Sequence, residues 1–377
     1  MVSLCLQAKR PRVGAAPRVV ANQMGAFEVL PQELILSVLT ALSSAADKPA
    51  DLFNVMLVCQ EFCRLVTNPQ VIRAASAACV SVLPRRWCAA ADRFLRFCGD
   101  NGNADANFFL GMIQFYCLGL QTHGWSRMLM AVRSGHAHAA FAAAVVYYNG
   151  SCIDHNQRQP LAAANLFALA ACRGHMGALR DLAFCVSNGL GVRQDAEAGR
   201  RLTFTANLRE FRATYPTAAE QAVAYAHVVG NPGCLTSELG CFTTVPASLR
   251  GWAHPANRFL CDWFSANPLP FPPRRLLLMC SMPTCGRPET RGLEYRRCPV
   301  CGIARYCSRS CQSLHWRMGH TRECVPTHQW LMEAIANHAV VNADDGANAA
   351  AMPAVNNNSA THHNNLGGAA ADAPAPK

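Results

Sequence analysis

Eight residues near the C-terminal end have the types and spacing of zinc ligands: Cys280, Cys285, Cys298, Cys301, Cys307, Cys311, His320 and Cys324. The pattern reads C-x4-C, C-x2-C, C-x3-C, H-x3-C, so every ligand has a near partner. Zinc takes four thiolate or neutral imidazole ligands at tetrahedral corners. Two ions therefore use all eight and leave no open position, which makes the sites structural and argues against hydrolysis. Spacing alone fits sequential or interleaved pairing. His315 is a ninth candidate, but His320 has Cys324 as a partner one helical turn away. A segment this short cannot bury enough apolar surface to fold alone. Each structural zinc supplies about 10–16 kcal/mol in small finger peptides, enough to hold such a segment together.

The ligand set, with Tyr306 before Cys307 and with Gln312, Leu314, Trp316 and Gly319 around a short helix, resembles a MYND-type zinc finger over residues 280–324. The first gap is four residues where two are more common. The resemblance implies interleaved sites: Cys280, Cys285, Cys307 and Cys311 on one zinc, and Cys298, Cys301, His320 and Cys324 on the other. It also implies binding of short proline-containing peptides, with Gln312 and Trp316 as contacts. Those two are four residues apart and share a helix face.

Upstream elements must position this module. Residues 27–75 read as helices. Pro31 suits a helix start, where no N–H is needed. Leu34, Ile35, Val38, Leu39 and Leu42 recur at helical spacing. Asp51 is placed to cap a second helix, which is apolar on much of its surface. Two short helices this apolar need a larger partner to cover them. Leu30-Pro31-Gln32-Glu33-Leu34, followed by Val58-Cys59-Gln60-Glu61-Phe62, resembles an F-box, with Gln60 where lysine is usual. The resemblance implies docking on a Skp-type adaptor of a cullin complex through Leu30, Pro31, Leu34, Ile35, Val58, Cys59 and Phe62.

Residues 102–212 contain a repeat. Gly135-His136-Ala137-His138-Ala139 aligns with Gly174-His175-Met176-Gly177-Ala178, and the same register pairs Asn149 with Asn188 and Gly150 with Gly189. A weaker copy begins at Gly102-Asn103. Each unit reads as a pair of helices punctuated by glycine, and such units bury their faces by stacking into an α-solenoid. His136 and His175, at a recurring corner, read as structural. The region resembles SEL-type repeats, relatives of tetratricopeptide repeats. The expected fold is mainly α: F-box helices, a short solenoid and a small zinc-stabilised finger. Residues 226–276 read as a connector, in which Cys234, Cys241, His254 and Cys261 are too loosely spaced for a third metal site. Residues 1–26 and 343–377 have compositions with little reason to fold. Trp330, Leu331, Ile335 and Ala336 suggest a helix after the finger.

The chain has 377 residues and a net charge of +11, carried by 31 arginines and only three lysines, Lys9, Lys48 and Lys377. The arginines form no long basic stripe, which argues against direct nucleic-acid recognition. The longest apolar run, Ala137 to Tyr148, is too short to span a bilayer. The N-terminus lacks a secretory pattern, and thirteen scattered cysteines point to a reducing, intracellular compartment, nucleus or cytoplasm. The order F-box, SEL-type repeats, connector, MYND finger resembles a family of plant F-box proteins. That resemblance implies a non-catalytic, substrate-recognition subunit of an SCF-type ubiquitin ligase. The alternative is a MYND scaffold or co-regulator in transcription. Under the first reading, scarce lysine spares the chain from its own ubiquitin machinery.

Overall fold

The computed structural model describes residues 25–151, 157–229, 235–240, 254–267 and 277–332. The basic N-terminal segment up to residue 24, most of the connector (with Cys234 and Cys241) and the 343–377 tail lie outside the described residues. The chain divides into two units, residues 1–324 and 325–377. In the second, residues 327–332 are helical, and Ile335 and Ala336 fall outside the described residues. The first unit holds every site discussed below.

Four short helices open it. A 3-10 turn (Gly25–Val29) leads to α1 (Gln32–Ala45), with Pro31 at its cap position. Then come α2 (Pro49–Met56), α3 (Gln60–Val66) and α4 (Pro69–Ala74). Asp51 is not the N-cap of α2. It sits in the first turn and accepts from the Asp47 and Lys48 N–H groups at 3.2 and 3.3 Å. Ser43 Oγ donates to the Val71 carbonyl at 3.0 Å, tying α1 to α4.

α1 is apolar on two sides. Ile35 and Leu39 pack into the core, while Leu34, Val38 and Leu42 form an exposed stripe at four-residue spacing. Leu57 and Val58, between α2 and α3, are also exposed.

After α5 (Ala89–Asp100), three helix pairs stack as the repeat predicts: α6 (Ala104–Met112) with α7 (Gln121–Arg133), α8 (Ala137–Asn149) with α9 (Pro160–Cys172), and α10 (Met176–Asn188) with α11 (Ala196–Thr214). A π-turn, Ile113–Cys117, ends α6. The glycines before each pair, Gly102, Gly135 and Gly174, have φ of 89°, 89° and 86°, a conformation open to glycine at little cost. α12 (Ala218–Val229) follows.

Within the connector, residues Pro255–Ala266 form another helix, α13. Its Ala256, Phe259 and Leu260 join the core shared by the first four helices and the first repeat. The finger joins the core of the second and third repeats instead. It comprises a two-stranded antiparallel ribbon, β1 (Arg296–Arg297) and β2 (Arg305–Tyr306), with Arg296 opposite Tyr306. α14 (Arg309–His315) follows and continues through a π-turn at Trp316–His320. No helix among the described residues is long and apolar enough to cross a membrane.

Candidate metal centre

Ligand geometry settles the pairing that spacing left open. Cys280, Cys285, Cys307 and Cys311 form one group, and Cys298, Cys301, His320 and Cys324 another, with ligand atoms in each within 4.8 Å of one another. The Cys285–Cys307 and Cys307–Cys311 sulfurs are 3.6 Å apart, the Cys298–Cys324 sulfurs 3.8 Å, and Cys301 Sγ lies 3.7 Å from His320 Nε2. Ligands about 2.3 Å from a central zinc stand about 3.8 Å apart at tetrahedral corners. A disulfide would bring two sulfurs to about 2.05 Å. The two groups fit two interleaved zinc ions.

Local backbone builds each knuckle. Cys298 N donates to Ala304 O at 2.8 Å, closing a turn on Gly302, whose φ is 68°. The longer first loop carries Met282, buried at its centre, and Cys285 N donates to Met282 O at 2.9 Å. Gly286 has φ of 69°, and a Cβ there would lie 2.6 Å from Cys261 N on α13. The finger thus leans on α13 without space for a side chain. His315 is not a ligand. Its Nδ1 lies 2.9 Å from the Tyr306 hydroxyl, and its ring stacks on His320 at 5.1 Å, orienting the ligand beside it.

The second and third repeats grip the finger through polar groups. Asp181 on α10 is buried, and its carboxylate accepts from the Arg309 and Ser310 N–H groups at 2.7 and 3.1 Å, capping α14 from outside. Burial pushes Asp181 up to about 6 against those two donors. Asn149 Nδ2 donates to the Cys307 carbonyl at 2.8 Å, and the Arg296 guanidinium lies 4.5 Å from the Phe184 ring centroid. Residues 235–240 cross the same junction. Asn207 Nδ2 donates to Ser237 O at 3.0 Å, and Ser313 Oγ to Leu239 O at 3.0 Å.

This docking changes the surface expected for peptide contact. Gln312 is 4% exposed, and its Oε1 accepts from Arg309 Nη1 at 2.8 Å. Trp316, one turn on, stays half-buried. The seven residues expected to meet an adaptor also divide. Leu30, Pro31, Leu34 and Val58 are exposed, whereas Ile35, Cys59 and Phe62 are buried. Cys59 Sγ caps α3 by accepting from Phe62 N at 3.5 Å, and Phe62 packs edge-on to Phe27 at 5.3 Å. Val38, Leu42 and Leu57 join the exposed apolar face. The place of Val38 and Leu42 on it was hidden because both sides of α1 are apolar.

The recurring histidines are helix caps. His136 Nδ1 accepts from Ala139 N at 3.0 Å, and His175 Nδ1 from Ala178 N at 3.2 Å. Asn103 Oδ1 does the same for Ala106 N at 2.7 Å in the weaker copy. His254 caps α13 likewise, accepting from Ala256 N at 3.1 Å. Asp105, His136 and His254 converge, with both Nε2 atoms 3.0 Å from Asp105 Oδ1. Three such groups could hold a cation. However, a ring whose Nδ1 accepts from the backbone carries its proton on Nε2. Both Nε2–H groups therefore donate to Asp105, and neither has a lone pair for a metal. Outside the zinc groups, burial pushes the Cys79, Cys117 and Cys185 thiols up to about 11, 12 and 12, so they stay protonated.

Family models match residues 79–179 as plant tetratrico peptide repeats and residues 280–324 as a MYND finger. An F-box protein of Arabidopsis thaliana is 38% identical over 357 residues, covering 90% of this chain and 93% of its own length. A second F-box protein of Arabidopsis thaliana is 37% identical over 308 residues, covering 82% and 88%. Among solved structures, a Sel1 repeat protein from Oxalobacter formigenes aligns with 56% of this chain and 97% of its own at 16% identity and a TM-score of 0.31.

Proposed function

The chain belongs to the family of these F-box proteins, and we propose that it is the substrate-recognition subunit of an SCF-type cullin–RING ubiquitin ligase. Its N-terminal helices bind a Skp-type adaptor, and its repeats and finger bind the target. In this reading the chain recruits and selects rather than catalyses, and its two metal groups are saturated by protein ligands.

The exposed apolar face of the N-terminal helices carries this reading. Leu34, Val38 and Leu42 are 52%, 51% and 37% exposed, although α1 has a second, fully buried apolar side. A helix that packs one side and leaves such a stripe in water is built to be covered again. Leu30, Leu57 and Val58 lie exposed in the same four-helix segment.

Co-purification with a Skp-type adaptor tests the assignment. The intact chain should recover the adaptor, and Leu34→Asp/Val38→Asp should abolish recovery while leaving zinc content and helicity intact. No recovery by the intact chain would defeat the reading and leave the finger as a scaffold.

A further inference from the structure

The two metal groups differ in charge and in what surrounds them. Four thiolates outweigh the zinc they hold, so the group of Cys280, Cys285, Cys307 and Cys311 is strongly anionic. In the other group neutral His320 replaces one thiolate, which leaves less negative charge. Arg287 lies against the first group and is 4% exposed. Its Nη1 donates to Cys285 Sγ at 3.5 Å, and its Nε is buried without a partner. Among the described residues no carboxylate pairs with it. A guanidinium taken out of water needs a counter-charge. The zinc thiolates are the counter-charge that Arg287 has.

The same arginine faces the scaffold. Its guanidinium lies 5.9 Å from the ring centroid of Phe141 on α8. Beside it, Asn257 Nδ2 on α13 donates to the Cys285 carbonyl at 2.7 Å. Arg287, Cys285 and Cys311 also line a cleft of about 480 Å³ where the second and third repeats, α13 and the finger meet. In the second group, the ring of His320 has finger residues around it: His315, Trp316 and Tyr306 at 5.1, 5.9 and 6.2 Å. Zinc holds sulfur as thiolate and displaces its proton, so the counter-charge of Arg287 comes and goes with the metal. An empty first group leaves the guanidinium buried beside neutral thiols. Returning it to water requires the finger to lift from Phe141 and α13. By reciprocity, a seated finger excludes water from the pair and holds the first zinc more tightly.

We propose that Arg287 makes docking of the finger on the repeats conditional on zinc in the four-cysteine group. The finger seats on α8 and α13 when that group is loaded and lifts from them when it is empty. The second zinc orders the finger and leaves its docking unchanged. The surface shared by repeats and finger therefore exists only in the loaded chain. That surface selects the target under the receptor reading above, but the coupling itself requires no adaptor.

The test uses the purified full chain, with zinc counted by native mass spectrometry. Docking is read by hydroxyl-radical footprinting of Phe141, which is 5% exposed under the seated finger. Cys280→Ser/Cys307→Ser empties the first group and should strip Phe141 of its protection. Cys298→Ser, which empties the second, should leave it protected. Arg287→Met has opposite effects in the two states. In the loaded chain it should weaken zinc at the first group about 10–100-fold in a chelator competition, as loss of an outer partner does. In the empty-group chain it should restore protection of Phe141, because no charge is left to bury. Arg287→Lys keeps the charge and should follow the parent in both states. Phe141 protected in the empty-group parent would overturn the proposal, since docking would then need no zinc. So would equal exposure of the empty-group chain with and without Arg287→Met, which would mean that lost zinc acts by unfolding the finger alone. Loss of protection in Cys298→Ser, or a lysine variant that behaves like the methionine one, would also overturn it. Adaptor recovery enters none of these measurements, so its failure sinks only the ligase reading.

Discussion

At the scale of the residue, His138 and His175 make the repeats acid-sensitive. Burial pushes them down to about 2 and about 3. Their unfolded value is near 6.5, so below that pH the unfolded chain binds protons that the folded chain refuses. The stability they allow is complete above about 6.5 and is lost progressively as pH falls toward 3. Melting temperature should fall between about pH 7 and pH 5.5, and His138→Gln should flatten that slope. A flat profile for the intact chain would contradict the burial of these rings. The interleaved ligand sets make a second expectation. Cys298→Ser should reduce the zinc content from two ions to about one, measured by native mass spectrometry. Among these residues the zinc ligands were fully legible, because each lies near a partner in sequence. The caps were only half legible. The Gly-His repeat marked a corner, but imidazole seldom caps a helix, and only Asn103 in the weaker copy has the usual cap chemistry.

At the scale of the element, α14 depends on a carboxylate from another part of the chain. Asp181 is the outside acceptor for the first two N–H groups of that helix. Asp181→Ala should leave both donors unsatisfied, at about 1–3 kcal/mol. Hydrogen exchange in residues 309–315 should rise while both zinc ions stay bound. Unchanged protection would show that the zinc ligands alone order the helix. Gly177→Ala should have a related effect, since its Cβ would fall 2.1 Å from Ser310 Oγ. The existence of the repeat helices was readable from glycine punctuation and small residues. α13 was not, because Pro255 and the proline run at 268–273 gave its neighbourhood the look of a linker. Gln312 shows the same limit from the other side. Its helix position was legible, but its burial comes from docking against elements at least 70 residues away in sequence, which no local pattern encodes.

At the scale of the whole molecule, the near-absence of lysine gains a testable meaning. Of three lysines, only Lys48 lies among the described residues. Changing the exposed Arg133, Arg193 and Arg201 to Lys should shorten the half-life of the chain in cells, measured by a translation-block chase. An unchanged half-life would leave codon usage as the reason for the arginines. The architecture also departs from an open stack of repeats. Asp105, in the first repeat, accepts from His136 in the second and from His254 on α13, 149 residues further along. Phe259 and Leu260 complete the core of the N-terminal helices from that distance. An open solenoid gains stability unit by unit from either end. A closed one pays for a long loop before its last contacts form. Synthesis proceeds at about 5–20 residues per second, so the clasp trails Asp105 by roughly 7–30 seconds on the ribosome. During that interval the N-terminal helices exist without their full support. A nascent chain arrested at residue 230 should be more protease-sensitive at α1 than the finished protein. Order of synthesis thereby becomes a checkpoint: the N-terminal half is finished only after the half that follows it has been made.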